Sequence, residues 1–268
     1  FIIVIFTIII LCLLVVLTMR RRHAQELYRQ ANTVAGSDIY NTHWFASRLI
    51  ETIQQSHTDR QKGELFVLVL SVQRLAALRE RYGLQPFEEA CKGILKKTTR
   101  ENSWILLYGL SAEVSHAFVL CRTQEGRSIQ QTAEHLLEIA GTVVVNGTPT
   151  SFTYHMGICP IPQTGLLTGS ILMDNAQLAH NSILGTDQCI AIFNSALHDN
   201  AMQQHQMELL MEKALQNEEF KIYLQPKYDI RSHSVCSAEA LVRWDSPELG
   251  FLMPGQFIDL FERNGFAI

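Results

Sequence analysis

Paired cysteines are missing from this chain. The six cysteines, Cys12, Cys91, Cys121, Cys159, Cys189 and Cys236, form no CxxC pair and no Cys/His cluster at zinc-ligand spacing. That excludes a zinc finger or ribbon and a disulfide-stapled scaffold. They read as reduced thiols in a cytosolic body, packed as small apolar residues. An excess of positive charge is missing too. The 22 Lys and Arg against 26 Asp and Glu leave a net charge of −4, which implies no nucleic-acid partner and no general affinity for anionic membranes. An initiator methionine is absent, and the last residue, Ile268, falls in what reads as a helix-to-strand passage. The expectation is a fragment at both ends. What is present is 268 residues at 47% apolar content, enough for one large or two modest domains.

Phe1 to Met19 is almost purely apolar, with Thr7 and Thr18 as mild exceptions, and Arg20-Arg21-Arg22 follows at once. A helix of that length spans ~28 Å, about one hydrocarbon core. The arginines then place the rest of the chain in the cytoplasm. The expectation is a single-pass helix over 1–19 in the inner, cytoplasmic membrane. The rival, a signal peptide, wants a shorter apolar core and a small-residue cleavage site. Residues 20–36 fit either a membrane-proximal helix that pairs with a second chain or a solvated linker. Gly36-Ser37-Asp38 looks like a break followed by an N-cap.

From Asp38 helix and strand patterns alternate. Phe45, Leu49 and Ile53 make an apolar helix stripe, and Leu65 to Leu70 is a continuous apolar run typical of a buried central strand. Helices are predicted over 73–81 and 86–99. Strands follow at 104–110 and 117–122 as a hairpin, then a helix around Ile129 to Ala140. A strand over 150–159, a helix over 170–183 and a short strand over 189–193 complete the series. The order implies a mixed sheet covered by helices. His116 and Glu113, on the hairpin turn, read as solvated side chains.

A helix over 201–217 leads to the densest polar stretch. Strands are predicted over 220–228 and 235–244, then a helix over 255–264 after Pro254. On the second strand Glu239, Leu241 and Arg243 share one face. A carboxylate and a guanidinium there suit a metal and a phosphate; a surface ion pair on a half-buried strand fits the spacing equally.

Gln225, Glu239-Ala240-Leu241-Val242-Arg243-Trp244, Pro247-Glu248-Leu249-Gly250 and Pro254-Gly255-Gln256-Phe257-Ile258 together resemble the opening of an EAL domain. That family hydrolyses cyclic di-GMP to linear pGpG on a TIM-barrel-like fold. The resemblance implies that Glu239 is a ligand of Mg²⁺ or Mn²⁺. It implies that Gln225, Leu241 and Arg243 contact the substrate, Arg243 near a phosphate. The remaining ligands of the family would lie beyond Ile268.

The region 37–197 resembles a GGDEF domain, the nucleotide-cyclase-like fold that makes cyclic di-GMP. Leu70-Ser71-Val72-Gln73 through Tyr82-Gly83, the strand Thr153 to Cys159 and the helix stretch Ala176 to Ala179 carry the likeness. The hairpin signature corresponds to Val114-Ser115-His116-Ala117-Phe118, where only the phenylalanine survives. The metal-binding aspartate corresponds to Ser71, its partner to Gln73, a phosphate-contacting lysine to Ala76, and guanine-contacting positions to Arg79 and Glu88. The inhibitory Arg-x-x-Asp motif is also absent. Without carboxylates to hold metal near a triphosphate, phosphoryl transfer fails, so this domain is expected not to be a diguanylate cyclase. It is expected to relay or dimerise, or to bind a nucleotide without turnover.

The chain is thus expected to be an α/β signalling protein. Its parts are a transmembrane helix (1–19), a linker helix (20–36), a degenerate GGDEF domain (37–197), and a connecting helix with the first strands of an EAL domain (198–268). Its partners would be cyclic di-GMP, the membrane and, possible through the membrane-proximal helix, a second copy. The alternative is a non-catalytic cyclic di-GMP receptor or scaffold.

Overall fold

The computed structural model describes residues 2–58, 63–162 and 168–266, with side chains left out of the description at 2–13 and 57–58. The chain divides into two compact units, 1–194 and 195–268.

The first unit contains α1 (Ile2–Asn32), α2 (Thr42–Thr58), β1 (Leu65–Val72), α3 (Leu75–Tyr82), α4 (Leu84–Glu101), β2 (Ile105–Leu110), β3 (His116–Arg122), α5 (Ile129–Ala140), β4 (Thr142–Val145), β5 (Thr148–Ser151), β6 (Tyr154–Pro160), α6 (Gly169–Asn181) and β7 (Ile190–Ile192). The main sheet has the order β2-β3-β1-β6-β7. β1 is central and antiparallel to both neighbours, and β6 pairs β7 in parallel. The period of two sorts β1 between two helical layers. Val67 and Val69 pack with Phe45 and Leu49 of α2 and with Leu172 and Ala176 of α6. Phe66 and Leu68 pack with Ala133 and Leu136 of α5. A strand buried on both faces needs the continuous apolar run seen in the sequence.

Local signals start the helices. Asn41, rather than Asp38, caps α2: its side-chain oxygen accepts from Trp44 N at 2.9 Å. Ser128 and Gln131 form a reciprocal capping box on α5. Cys91, Cys121 and Cys159 are free thiols within this unit. Burial pushes the Cys91 thiol up to about 12 and that of Cys159 to about 11, so both stay protonated and inert at neutral pH.

The transmembrane helix expected over 1–19 is overturned. Among the described residues, no helix is long and apolar enough to cross a membrane. A helix does form there, but α1 runs without a break through Arg20-Arg21-Arg22 to Asn32. Its described side chains begin at Leu14, and only Leu14 to Met19 precede the arginines. The earlier part of the expected span, 1–13, lies outside the described side chains. The separate linker helix expected from residue 20 is the continuation of α1.

The second unit contains α7 (Ser195–Gln216), β8 (Phe220–Asp229), β9 (Ser234–Ser246), β10 (Gly250–Leu252) and α8 (Pro254–Arg263). Its antiparallel sheet has the order β10-β9-β8. Trp244, Phe257, Leu260 and Phe261 form its core with Met207 and Ala214 of α7. Pro254 opens α8, and the Gln256 side chain accepts from Met253 N at 2.8 Å. Proline at that position lacks only an N–H that has no helical partner.

Candidate functional site

Register builds the site on β8 and β9. Gln225 lies opposite Glu239, Tyr223 opposite Leu241 and Lys221 opposite Arg243. Directly opposed residues share a face, so Gln225, Glu239, Leu241 and Arg243 line one side of the sheet. The other side presents Phe220, Val242 and Trp244 to the unit's core. β8 continues past Pro226, and it is an edge strand, where the missing N–H removes no ladder bond.

The polar side is open. Gln225 and Glu239 are exposed, and Leu241 and Arg243 are half-buried. The ammonium of Lys227 lies 3.4 Å from Glu239 Oε2. Both side chains are more than half exposed, so the pair contributes at most about 1 kcal/mol. Arg243 does not pair with Glu239; its Nη1 donates to the Val242 carbonyl at 2.8 Å. The surface ion pair read as the alternative therefore forms with Lys227. Lys227 is a member of this face outside the expected site residues. Its signal was the two-residue spacing from Gln225, which puts it diagonally across from Glu239 on the same face.

Mg²⁺ and Mn²⁺ take about six ligands, mostly oxygen. Among the described residues, no group of three His, Cys, Asp or Glu side chains is placed to hold a metal. Glu239 is a single carboxylate that already faces an ammonium. These residues do not by themselves fit a resident Mg²⁺ or Mn²⁺.

The cyclase-like positions of the first unit hold a different constellation. Ser71 is buried at the end of β1, and its hydroxyl lies 2.6 Å from His180 Nε2 of α6. Gln73 donates its backbone N–H to Thr153 O at 2.8 Å. The turn between β2 and β3 is closed on itself. Ser111 Oγ accepts from both Ser115 N and His116 N at 3.0 Å, so both turn amides are occupied within the turn. Arg79 of α3 donates to the Glu113 carbonyl of this turn, and its guanidinium lies 6.0 Å from the Phe87 ring centroid. Glu88 pairs with Lys92 at 3.6 Å. His116 is not the solvated turn residue expected. It is half-buried, its Nδ1 lies 2.9 Å from Ser115 Oγ, and its ring sits edge-on to His180 at 5.3 Å.

Comparison with known proteins bears on both units. Residues 210–268 match the EAL domain family. An uncharacterized protein of Synechocystis sp., sll1895, is 26% identical over 94% of this chain and 36% of its own length. The bifunctional diguanylate cyclase/cyclic di-GMP phosphodiesterase MucR of Pseudomonas aeruginosa is 25% identical over 82% of this chain and 32% of its own. The chain thus spans about a third of the length of these relatives. Among solved structures, the S helix-GGDEF-EAL part of Vibrio cholerae LapD aligns with a TM-score of 0.52 at 15% identity, over 92% of this chain and 57% of that one. The GGDEF domain of Pseudomonas aeruginosa TpbB (YfiN) gives 0.52 at 16% identity, over 65% of this chain and 99% of that one. The chain therefore carries the GGDEF-type α/β fold, followed in residues 210–268 by a segment that matches the EAL domain family.

Proposed function

We propose that this chain belongs to a cyclic di-GMP signalling protein, and that residues 210–268 supply the opening strands and helix of a cyclic di-GMP phosphodiesterase. The observation that carries this reading is the single strand face holding Gln225, Glu239, Leu241 and Arg243, within the segment that matches the EAL family. Its chemistry suits a cyclic dinucleotide. The guanidinium of Arg243 takes a phosphate oxygen pair. The Gln225 amide offers a donor and an acceptor to a base edge. Leu241 gives an apolar surface beside them, and Lys221 and Lys227 add positive charge opposite a dianion.

The test is hydrolysis of cyclic di-GMP to pGpG by the full-length protein with Mn²⁺. Glu239→Gln is expected to lower kcat about 10³-fold, the ~4 kcal/mol that transition-state charge stabilisation typically supplies. Wild-type protein that turns over nothing at saturating metal would overturn the enzyme reading. One observation favours a second reading, that of a non-catalytic receptor. Lys227 neutralises Glu239, which suits binding a phosphate more than holding a cation. Calorimetric binding of cyclic di-GMP without turnover is its expected result.

In this reading the first unit relays rather than synthesises. Ser71, Ala76 and Ala117 replace the groups a cyclase needs, and Ser111 occupies the turn amides. Formation of cyclic di-GMP from GTP by this protein would refute that assignment.

A further inference from the structure

Four residues far apart in sequence converge at one end of β1. In the sheet register Ser71 is opposite His116 on one side and opposite His155 on the other. All three therefore point to the face covered by α6, and α6 delivers His180 onto Ser71. The His180 ring lies 5.3 Å from that of His116 and 6.2 Å from that of His155. His180 is 1% exposed. Its Nδ1 is 3.3 Å from both the Gln177 and the Asn181 side-chain amides. His155 Nε2 is buried and has no hydrogen-bond partner among the described residues.

We propose that His180 and His116, with His155 packed beside them, form an acid-sensitive joint, closed while those two are neutral, which ties the β2–β3 turn and the end of α6 to the central strand. A neutral His180 ring is satisfied at both nitrogens. Ser71 and His180 share one proton, and the side-chain amides hold the far nitrogen. A proton added to His180 places a buried cation 5.3 Å from the ring of His116 and 6.2 Å from that of His155, an arrangement that low dielectric penalises. The surroundings offer little compensation. β1 contributes only the Ser71 hydroxyl, and α6 contributes amides. The turn contributes Glu113, which acts on His116 alone. From α3, Arg79 binds the Glu113 carbonyl and adds positive charge. Burial lowers the basicity of His180, the other two histidines lower it further, and Asn181 partly opposes this. Burial also lowers that of His116, against Glu113.

The direction in pH follows. Imidazoles whose folded pKa lies below the ordinary 6.5 bind protons less readily in the closed form than in the open one. Closure is then fully favoured above pH 6.5 and is lost as pH falls below it toward the folded values. Each proton taken up on opening changes the closed-to-open ratio up to tenfold per pH unit. The experiment is amide-exchange protection of residues 111–116 and 177–182 in the 268-residue chain from pH 8 to 5, beside an NMR titration of the histidine ring protons. The expected result is protection in both segments that falls up to tenfold per unit below pH 6.5, with His116 and His180 titrating low and in a coupled manner. Protection that stays constant to pH 5, or rings that titrate independently at 6.5, would overturn it. A His116→Gln, His155→Gln double variant, which keeps the buried His180, is expected to show a weakened acid response, and an undiminished response there also overturns the joint. If the double variant does not fold, the wild-type titration decides alone.

Discussion

Trp244→Ala is expected to unfold the 195–268 unit at room temperature. Trp244 is fully buried. Its ring lies 5.2 Å from Phe220, 5.9 Å from Phe257 and 5.7 Å from Phe261. Its Nε1 donates to Glu219 Oε2 at 2.9 Å, and this bond is the main cause that holds the Glu219 carboxyl below its usual range. Truncating a buried tryptophan to alanine costs about 3–5 kcal/mol through lost transfer energy and the cavity left behind. A unit this small draws only about 3–5 kcal/mol from its single core, so the loss matches the whole margin. Trp244→Phe keeps an aromatic in the cluster, drops the N–H, and should cost about 1–2 kcal/mol. Hydrogen exchange across β8 and β9 distinguishes the two variants: full exchange in Trp244→Ala, retained protection in Trp244→Phe. Protection in Trp244→Ala equal to wild type would show that the unit is held by something other than its aromatic core.

What was legible in the sequence depended on how local the cause was. β1 was visible because a strand buried on both faces must be apolar at every position. The polar face of β9 was visible because a strand's period is two, so Glu239, Leu241 and Arg243 could be assigned to one side before any partner was known. The hairpin of β4 and β5 was missed, although Asn146-Gly147 is a strong turn signal. Both residues adopt positive φ, 52° and 77°, the conformation a two-residue hairpin turn requires. The predicted strand over 150–159 ran across two elements, since β5 ends at Ser151 and β6 starts at Tyr154. The boundary expected at Arg20 between a membrane helix and a separate linker helix was not there, because helical backbone continues through arginine as readily as through leucine. The cluster of Ser71, His116, His155 and His180 was illegible for a different reason. No spacing connects those positions; only the antiparallel register of β3, β1 and β6 and the descent of α6 bring them together.

That descent depends on one glycine, and Gly157→Ala is expected to destabilise the first unit by at least about 3 kcal/mol. Gly157 lies on β6, between Val69 of β1 and Ala191 of β7. A Cβ added there would stand 2.2 Å from both the Ala176 carbonyl oxygen and the His180 amide nitrogen, and 2.6 Å from His180 Cα. These are backbone atoms of α6, so no rotamer change relieves the clash and the helix must move by roughly 1 Å to reach ordinary contact distance. Leu172 and Ala176 are fully packed on that side, so the movement opens the core that α6 shares with α2. Overpacking alone typically costs about 1–3 kcal/mol, and the lost helix packing adds to it. His180 would also leave Ser71, so the acid response of the histidine joint should weaken in the same variant. Gly93 on α4 is the matched control. A Cβ there meets nothing within 4 Å, and alanine in a helix interior is favoured over glycine by roughly 0.5–1 kcal/mol. Urea unfolding of the two variants should move in opposite directions. Equal midpoints for Gly157→Ala and Gly93→Ala would mean that α6 does not rest on β6 through bare backbone.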